Sequence, residues 1–276
     1  MKSDGRTDVS FAGSTVRFEH HGPRAARIVR FLWRDVPRRR PQPSVFTCRL
    51  VDDQPEGVLR LHVGGDPGYE GPSEAVAAAR LLDAGMYHLA DRSRGGLVLH
   101  AAGVANSDGA VLLPGTSGCG KTTLTAWLVS HGWRYLTDEL VFVASGSSVA
   151  QGLARPLNLK APAAEALRRS IGLDARDGNA LATPSGVLLR YSALSTERPA
   201  GPTRIGRLVF PHYAPRARYA LTPLSPARAG IRLMGCLINA RNLEGHGFSE
   251  ATRLVRQVPA YELRYGSFSQ LEGWRG

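Results

Sequence analysis

The chain has 276 residues, enough for one large domain or two smaller ones with a sizeable buried core. It contains no run of roughly eighteen apolar residues, and its N-terminus lacks the apolar segment of a secretion signal, so we expect neither a membrane partner nor export. Three cysteines, Cys48, Cys119 and Cys236, lie far apart and match no metal-binding pattern, which favours a reducing, cytoplasmic setting.

The formal net charge is +12, and the excess of basic residues lies towards the two ends of the chain. Residues 61–200 carry as many acidic as basic side chains, whereas residues 1–60 and 201–276 are both basic. Basic flanks indicate an acidic partner such as a peptide, a phosphorylated substrate or a nucleic acid, or simply a solvated arginine-rich surface. A nucleic acid is the least expected of these partners, because the sequence has no helix-turn-helix pattern and no interleaved aromatic and basic residues.

The N-terminal part of the chain is rich in patterns typical of β-strands. Residues 25–33 predict a short helix that ends before Pro37, and the Gly-Gly-Asp-Pro-Gly segment at 64–68 predicts a turn and a break. Alternation of apolar and polar residues predicts strands at 9–11, 15–18, 44–50 and 58–63. We therefore expect a β-rich N-terminal subdomain over residues 1–70.

The remaining residues, 71–276, predict a second unit in which strands and helices alternate. A helix over residues 73–92 begins at Ser73 and has one apolar face. Strands at 96–104 and 110–113 flank a turn, which predicts a hairpin. Downstream, the sequence predicts a strand at 135–143 interrupted at 138–139, a helix at 163–170 capped by Gly172, a loop at 174–186, a strand at 207–210 and a helix near 227–237. This order indicates an α/β fold.

The hairpin leads into the sequence Gly-Thr-Ser-Gly-Cys-Gly-Lys-Thr at 115–122, which matches the phosphate-binding pattern GxxxxGK[ST] in full. An apolar strand precedes it, and an amphipathic helix follows it, which is the context that the pattern requires. Lys121 would reach the β- and γ-phosphates of a nucleotide, and the Thr122 hydroxyl would hold Mg²⁺. The sequence therefore predicts binding of ATP and Mg²⁺ by Gly115, Thr116, Ser117, Gly118, Cys119, Gly120, Lys121, Thr122 and Thr123.

Three further residues stand at distances from this loop that suggest a catalytic role. Asp138 closes the strand after the loop helix, where a carboxylate can hold Mg²⁺ through water. Glu139 follows directly and, at a bend, can take a proton from a substrate hydroxyl. His100 lies in the strand whose hairpin partner enters the loop, so it is a candidate site residue.

Lysine is rare in this chain, which makes each lysine informative. Only Lys2, Lys121 and Lys160 are present among 35 basic residues. Because nearly all the other basic residues are arginine, a lysine suggests that its position needs a compact point charge, although chance can also place a lysine there. Lys160 and the nearby Arg155 are therefore candidate contacts to a phosphate or a substrate.

Residues 97–143 resemble the core of the HPr kinase/phosphorylase family. The resemblance rests on His100, the loop at 115–122, the helix end at His131-Gly132 and the segment Leu136-Thr-Asp-Glu-Leu-Val, in that order. It implies an α/β phosphate-loop core with a mixed sheet, related to that of ATP-dependent phosphoenolpyruvate carboxykinase. It also implies that Asp138 assists Mg²⁺, that Glu139 stands in the position of the catalytic carboxylate, and that His100 lies beside it.

The chain departs from that family in ways that bear on the substrate. Ala101 follows His100 where the family has glycine, Glu139 replaces an aspartate, and the signature of the phosphorylase reaction is absent. The chain looks more like HPr kinase-related proteins, which include kinases of lasso-peptide and other modified-peptide pathways that phosphorylate a precursor peptide. That likeness implies an ATP-dependent kinase acting on a serine of a peptide or small protein. The resemblance to the HPr kinase family itself implies a homo-oligomer.

Two other functions are compatible with the same residues. A small-molecule kinase would use the same loop and carboxylates on a different hydroxyl. A nucleotide-binding regulator without phosphoryl transfer is the other alternative, although the sequence has neither the Asn-Lys-x-Asp motif of GTPases nor the Leu-Ser-Gly-Gly signature of transporter ATPases.

Overall fold

The computed structural model describes residues 4–38, 45–53, 55–172 and 178–274. It has an α/β fold with three sheets, which confirms the predicted class and its mixed sheet. Ser44, at the start of one predicted strand, and residues 174–177 of the predicted loop lie outside the described ranges. Within those ranges, no helix is both long enough and apolar enough to cross a membrane.

The N-terminal sheet has five strands in sequential order, and only its second and third strands run parallel. Its strands are β1 (Gly5–Phe11), β2 (Ser14–His21), β3 (Val45–Asp53), β4 (Val58–Val63) and β5 (Asp66–Gly71). The predicted break at 64–68 is wrong in part, because β5 begins inside it and pairs with β4. Gly64 and Gly65 make the turn with φ of +63° and +105°, a conformation that glycine adopts without a steric penalty.

Two helices cover this sheet, α1 (Pro23–Trp33) and α2 (Glu74–Asp91). The Ser73 hydroxyl caps α2 by accepting a hydrogen bond from the Val76 N–H at 3.3 Å, as its position predicted. The apolar faces of both helices and the inner face of the sheet form one continuous core, which also includes Val98 and Leu140 of the following unit. The boundary predicted at residue 70 stays a prediction, although α2, which follows it, packs on the N-terminal sheet.

The second sheet has eight strands and carries the glycine-rich segment. Its order is β10-β9-β6-β7-β14-β16-β15, and β8 pairs beside β6. The strands are β6 (Gly96–Asn106), β7 (Gly109–Pro114), β8 (Arg134–Thr137), β9 (Leu140–Ala144), β10 (Val149–Gly152), β14 (Thr203–Tyr213), β15 (Ala220–Pro223) and β16 (Ala260–Tyr265). β7, β14 and β16 run parallel, and the other pairs are antiparallel, so the central sheet is mixed.

Helices cover both faces of this sheet because its strands are apolar on both sides. In β7, Val111 and Leu113 belong to the core under α3 (Lys121–Ser130), whereas Ala110 and Leu112 face the opposite core. That opposite core is closed by α5 (Pro226–Met234) and α6 (Phe248–Gln257). The sequence predicted α5 approximately, but missed α6 and the full length of β14.

A small third sheet stands where a loop was predicted. Its strands are β11 (Leu157–Lys160), β12 (Ala180–Thr183) and β13 (Gly186–Leu189), in the order β11-β13-β12. The predicted loop at 174–186 is therefore wrong for its second half, where β12 turns back into β13. Between β11 and β12 lies α4 (Ala161–Ile171), which ends at Gly172 with φ of +64°, as the sequence predicted.

Candidate functional site

The register of β6 brings the predicted site residues to one level of the sheet. The first half of β6 pairs with β9 as far as His100, opposite Leu140. From Gly103 onward it pairs with β8 instead, so the bend at 138–139 lies where the partner changes. On its other side, Ala101 lies opposite Pro114, the last residue before the glycine-rich segment. His100, the acidic bend and the start of that segment therefore converge.

Residues 115–120, called here the glycine loop, connect β7 to α3. Gly118 and Gly120 have φ of +89° and +99°, which a side chain would disfavour. Lys121 is 6% exposed, and its Nζ donates to the carbonyl oxygens of Gly115 at 2.7 Å and Thr116 at 2.9 Å. The lysine ammonium is thus held over the start of the loop, at the N-terminus of α3, where anions are favoured.

The two acids of the bend share one buried arginine. Arg155 is 3% exposed, donates to Glu139 Oε2, and has its Nη2 3.6 Å from Asp138 Oδ2. The Asn158 N–H donates to the same Asp138 oxygen at 3.0 Å. Asp138 is buried, whereas the Glu139 side chain is 37% exposed. Of the two carboxylates, Glu139 is therefore the one accessible from solvent.

Asp138 is the buried carboxylate of the site that could hold a cation. Burial raises its pKa to about 6, and Arg155 opposes this shift. The Thr122 side chain is close enough to lower the pKa of Asp138 by hydrogen bonding, and Oδ1 is buried without a partner of regular hydrogen-bond geometry among the described residues. An unpartnered carboxylate oxygen beside the Thr122 side chain fits Mg²⁺, which takes one or two protein oxygens and otherwise water and phosphate. The described residues contain no group of three or more His, Cys, Asp or Glu side chains that could hold a metal ion.

His100 contacts the exposed acid. Its Nε2 is 3.3 Å from Glu139 Oε1, and its backbone N–H donates to the Cys236 carbonyl at 2.7 Å. Burial is the largest effect on its pKa and lowers it, and the nearby Lys121 lowers it further. A neutral imidazole next to Glu139 can orient this carboxylate without adding a charge.

The structure brings Lys160 to the glycine loop, 39 positions after Lys121 in sequence. Its Nζ is 3.4 Å from the Ser117 hydroxyl, and the side chain is exposed. The sequence placed Arg155 with Lys160 as a substrate contact, but Arg155 is buried behind the two acids. It positions Glu139 and does not face an open surface.

Two residues beside the loop were not predicted from the sequence. Burial raises the pKa of the Cys236 thiol, while Lys121 and the backbone of Gly115 lower it, so this thiol lies against the loop. Tyr213 donates its backbone N–H to the Cys119 carbonyl at 3.3 Å. Both are distant from the loop in sequence, and the predicted strand at 207–210 ended before Tyr213.

A pocket of about 170 Å³ opens beside Glu139. Its walls come from α2 and from the segment after α5, and include Met86, Tyr87, Leu140, Ile238 and Arg241. Asn239 fixes that segment, because its side chain accepts from the Val98 N–H at 2.9 Å and donates to the Gly96 carbonyl at 3.0 Å. The pocket is therefore part of a well-anchored surface.

No protein-family model matches this chain, and a search of curated proteins gives no similar sequence. Function therefore has to be inferred from the geometry of the site.

Proposed function

We propose that the chain is an ATP-dependent kinase that transfers the γ-phosphoryl group to a serine hydroxyl of a peptide or small protein. The observation that carries the proposal is the convergence of the glycine loop and Lys121 with a bend holding one buried and one accessible carboxylate. This arrangement combines a phosphate site, a cation site and a base in one place, as phosphoryl transfer requires.

Each residue has a role that follows from its surroundings. Lys121 would neutralise charge on the β- and γ-phosphates. Thr122 and Asp138 would hold Mg²⁺, which supplies further charge neutralisation when bound. Glu139 would accept the proton of the serine hydroxyl as that oxygen bonds to the γ-phosphorus and ADP leaves. Arg155 and His100 contact Glu139 from two sides and would fix its orientation.

The pocket beside Glu139 is small. Its volume of about 170 Å³ is below the several hundred Å³ that typically enclose a small-molecule ligand. One side chain of a longer acceptor would fit in it while the neighbouring hydroxyl reaches Glu139. The pocket is therefore compatible with a peptide or protein acceptor, and the transfer assay separates this acceptor from a compact small molecule.

The test is transfer from γ-labelled ATP with Mg²⁺ to a panel of serine peptides, an HPr-like protein and small alcohols. We expect label on a peptide or protein, loss of label in Lys121→Ala, and a drop of about a hundredfold or more in Glu139→Gln with MgATP affinity retained. Glu262→Gln is the matched control, because Glu262 is similarly half-exposed, at 34%, and pairs with Arg232.

The same assay separates the alternatives. Label on alcohols alone would favour a small-molecule kinase. Release of free phosphate at a rate that no acceptor changes would favour a nucleotide-binding regulator. Full transfer activity in Glu139→Gln would exclude this residue as the base.

A further inference from the structure

The edge of the central sheet that carries the glycine loop also carries two tyrosines. β7, β14 and β16 run parallel, so their C-terminal ends lie at one edge. Tyr213 and Tyr265 are the last residues of β14 and β16, and they are paired in register. Ligands of sheets with parallel strands bind outside the carboxyl ends of those strands.

The strand order gives a bound nucleotide a direction. β6 lies on one side of β7 and is flanked by the bend with Asp138 and Glu139. β14 lies on the other side of β7 and ends at Tyr213. A triphosphate whose γ-phosphate faces Glu139 therefore extends its nucleoside towards the β14 side.

Tyr213 lies against the glycine loop on the β14 side, where the nucleoside would lie. Its side chain is on the same face of the sheet as that of Tyr265, which packs under α3, because paired residues of parallel strands point the same way. A Cβ placed on Gly120 would lie 3.1 Å from the Tyr213 Cβ. The residue is nevertheless 46% exposed.

Tyr213 is held in place by the groups around it. The buried ring of Tyr265 lies 5.5 Å from it, centroid to centroid. Its own N–H is bonded to Cys119, and the N–H of Ala214 donates to the Tyr265 carbonyl at 3.1 Å. An exposed aromatic ring on a fixed backbone loses little freedom when it binds a ligand.

We propose that Tyr213 is the platform on which the purine base of the nucleotide stacks. The inference rests on the proposed function, since it requires the glycine loop to bind a triphosphate. Stacking of a base on an aromatic side chain changes affinity by about tenfold or more. The platform would make nucleoside triphosphates bind more tightly than the bare triphosphate chain.

Calorimetric titration of the full chain with ATP and with inorganic tripolyphosphate, each with Mg²⁺, tests this assignment. We expect Tyr213→Ala to weaken ATP binding about tenfold or more and to leave tripolyphosphate binding within about twofold. Tyr213→Phe keeps the ring and should bind ATP nearly as the wild type does. Phe248→Ala, which removes an exposed aromatic on α6, is the control and should change neither affinity.

Three outcomes would overturn the platform. Unchanged ATP affinity in Tyr213→Ala would place the base elsewhere. An equal loss for ATP and tripolyphosphate would make Tyr213 a structural support of the loop. If the wild-type chain bound neither ATP nor tripolyphosphate, the result would contradict the proposed kinase function and the role of Tyr213 together.

Discussion

The two adjacent acids of the site differ in their surroundings, and this difference separates their roles. Asp138 is buried against Asn158 and Arg155, with its pKa raised to about 6 by burial. Glu139 projects to a part-exposed position where His100 and Arg155 contact it. Neighbouring residues of a strand face opposite sides, but the bend after β8 allows both carboxylates to meet one guanidinium.

The raised pKa of Asp138 predicts a pH dependence of stability in the absence of Mg²⁺. Its ordinary value is 3.8, so the folded chain binds this proton more tightly than the unfolded chain does. The carboxyl therefore contributes stability below about pH 4 and loses that contribution as the pH rises through about 6. As the pH rises from about 4 to about 6, the free energy of unfolding of the wild type should fall by on the order of 3 kcal/mol relative to that of Asp138→Asn.

Urea unfolding in EDTA at a series of pH values measures this difference. Asp66→Asn, an exposed carboxylate in β5, is the control and should follow the wild type. If the free energy of unfolding varied with pH in the same way in the wild type and in Asp138→Asn, the Asp138 carboxyl would have the same pKa in the folded and unfolded chains.

Among single residues, the sequence predicted those within the local pattern around the loop. His100, Asp138 and Glu139 stand at fixed distances from the loop in consecutive strands, so strand adjacency alone brings them together. Tyr213 could not be found in this way, because its place depends on a parallel pairing across the whole chain. Arg155 likewise makes tertiary contacts that no local pattern indicates, such as the hydrogen bond that its carbonyl accepts from the Tyr135 hydroxyl at 2.7 Å.

At the level of elements, two of the three glycines of the glycine loop, Gly118 and Gly120, have similar positive φ angles and different neighbours. A Cβ on Gly120 would meet Tyr213 Cβ and the Tyr265 hydroxyl, each at 3.1 Å, whereas a Cβ on Gly118 would meet nothing within 4 Å. Gly118→Ala therefore adds only the strain of a positive φ, about 1–2 kcal/mol. Gly120→Ala adds that strain and a steric conflict with two strand ends.

We therefore expect Gly120→Ala to weaken MgATP binding more than Gly118→Ala does, with both variants folded by circular dichroism. Calorimetric titration gives the two affinities directly, and Gly146→Ala, at a positive φ in an open turn, controls for strain alone. Equal losses in the two loop variants would mean that the close packing around Gly120 is unimportant for binding.

The elements with clear terminal signals were predicted best. α2 has a serine cap and α4 a glycine stop, and both lie close to their predicted ranges. α6 was missed because Gly247 precedes it without a side-chain cap, although Ala251, Leu254 and Val255 are spaced as on one helix face. β12 and β13 were missed because each has four residues and depends on pairing within a small sheet.

Over the whole molecule, one buried ion pair connects the N-terminal region to the small third sheet. Arg190, directly after β13, binds Asp35, just after α1, through both carboxylate oxygens at 2.7 and 2.5 Å. The same guanidinium donates to the Asn179 side chain at 3.1 Å. Both partners are nearly buried, so removal of the arginine would leave a carboxylate without a cation in a poorly solvated position.

Arg190→Gln should therefore destabilise the fold by about 3 kcal/mol. Arg168→Gln removes an exposed pair with Glu165 and should change stability by less than about 1 kcal/mol. Both values come from urea unfolding, which would also show whether the transition remains cooperative in Arg190→Gln. A cost for Arg190→Gln no larger than that of the surface control would mean that the contact contributes little to stability.

The near absence of lysine has a practical consequence. Of the three lysines, Lys121 and Lys160 both lie at the glycine loop, and Lys2 is outside the described residues. Amine-directed acylation would thus modify very few positions besides these two. The chain could be treated with an acyl phosphate of a nucleotide, which acylates lysines near its binding site. Mass spectrometry of the two peptides that contain Lys121 and Lys160 would then measure how much of the site is occupied, with almost no labelling elsewhere on the surface.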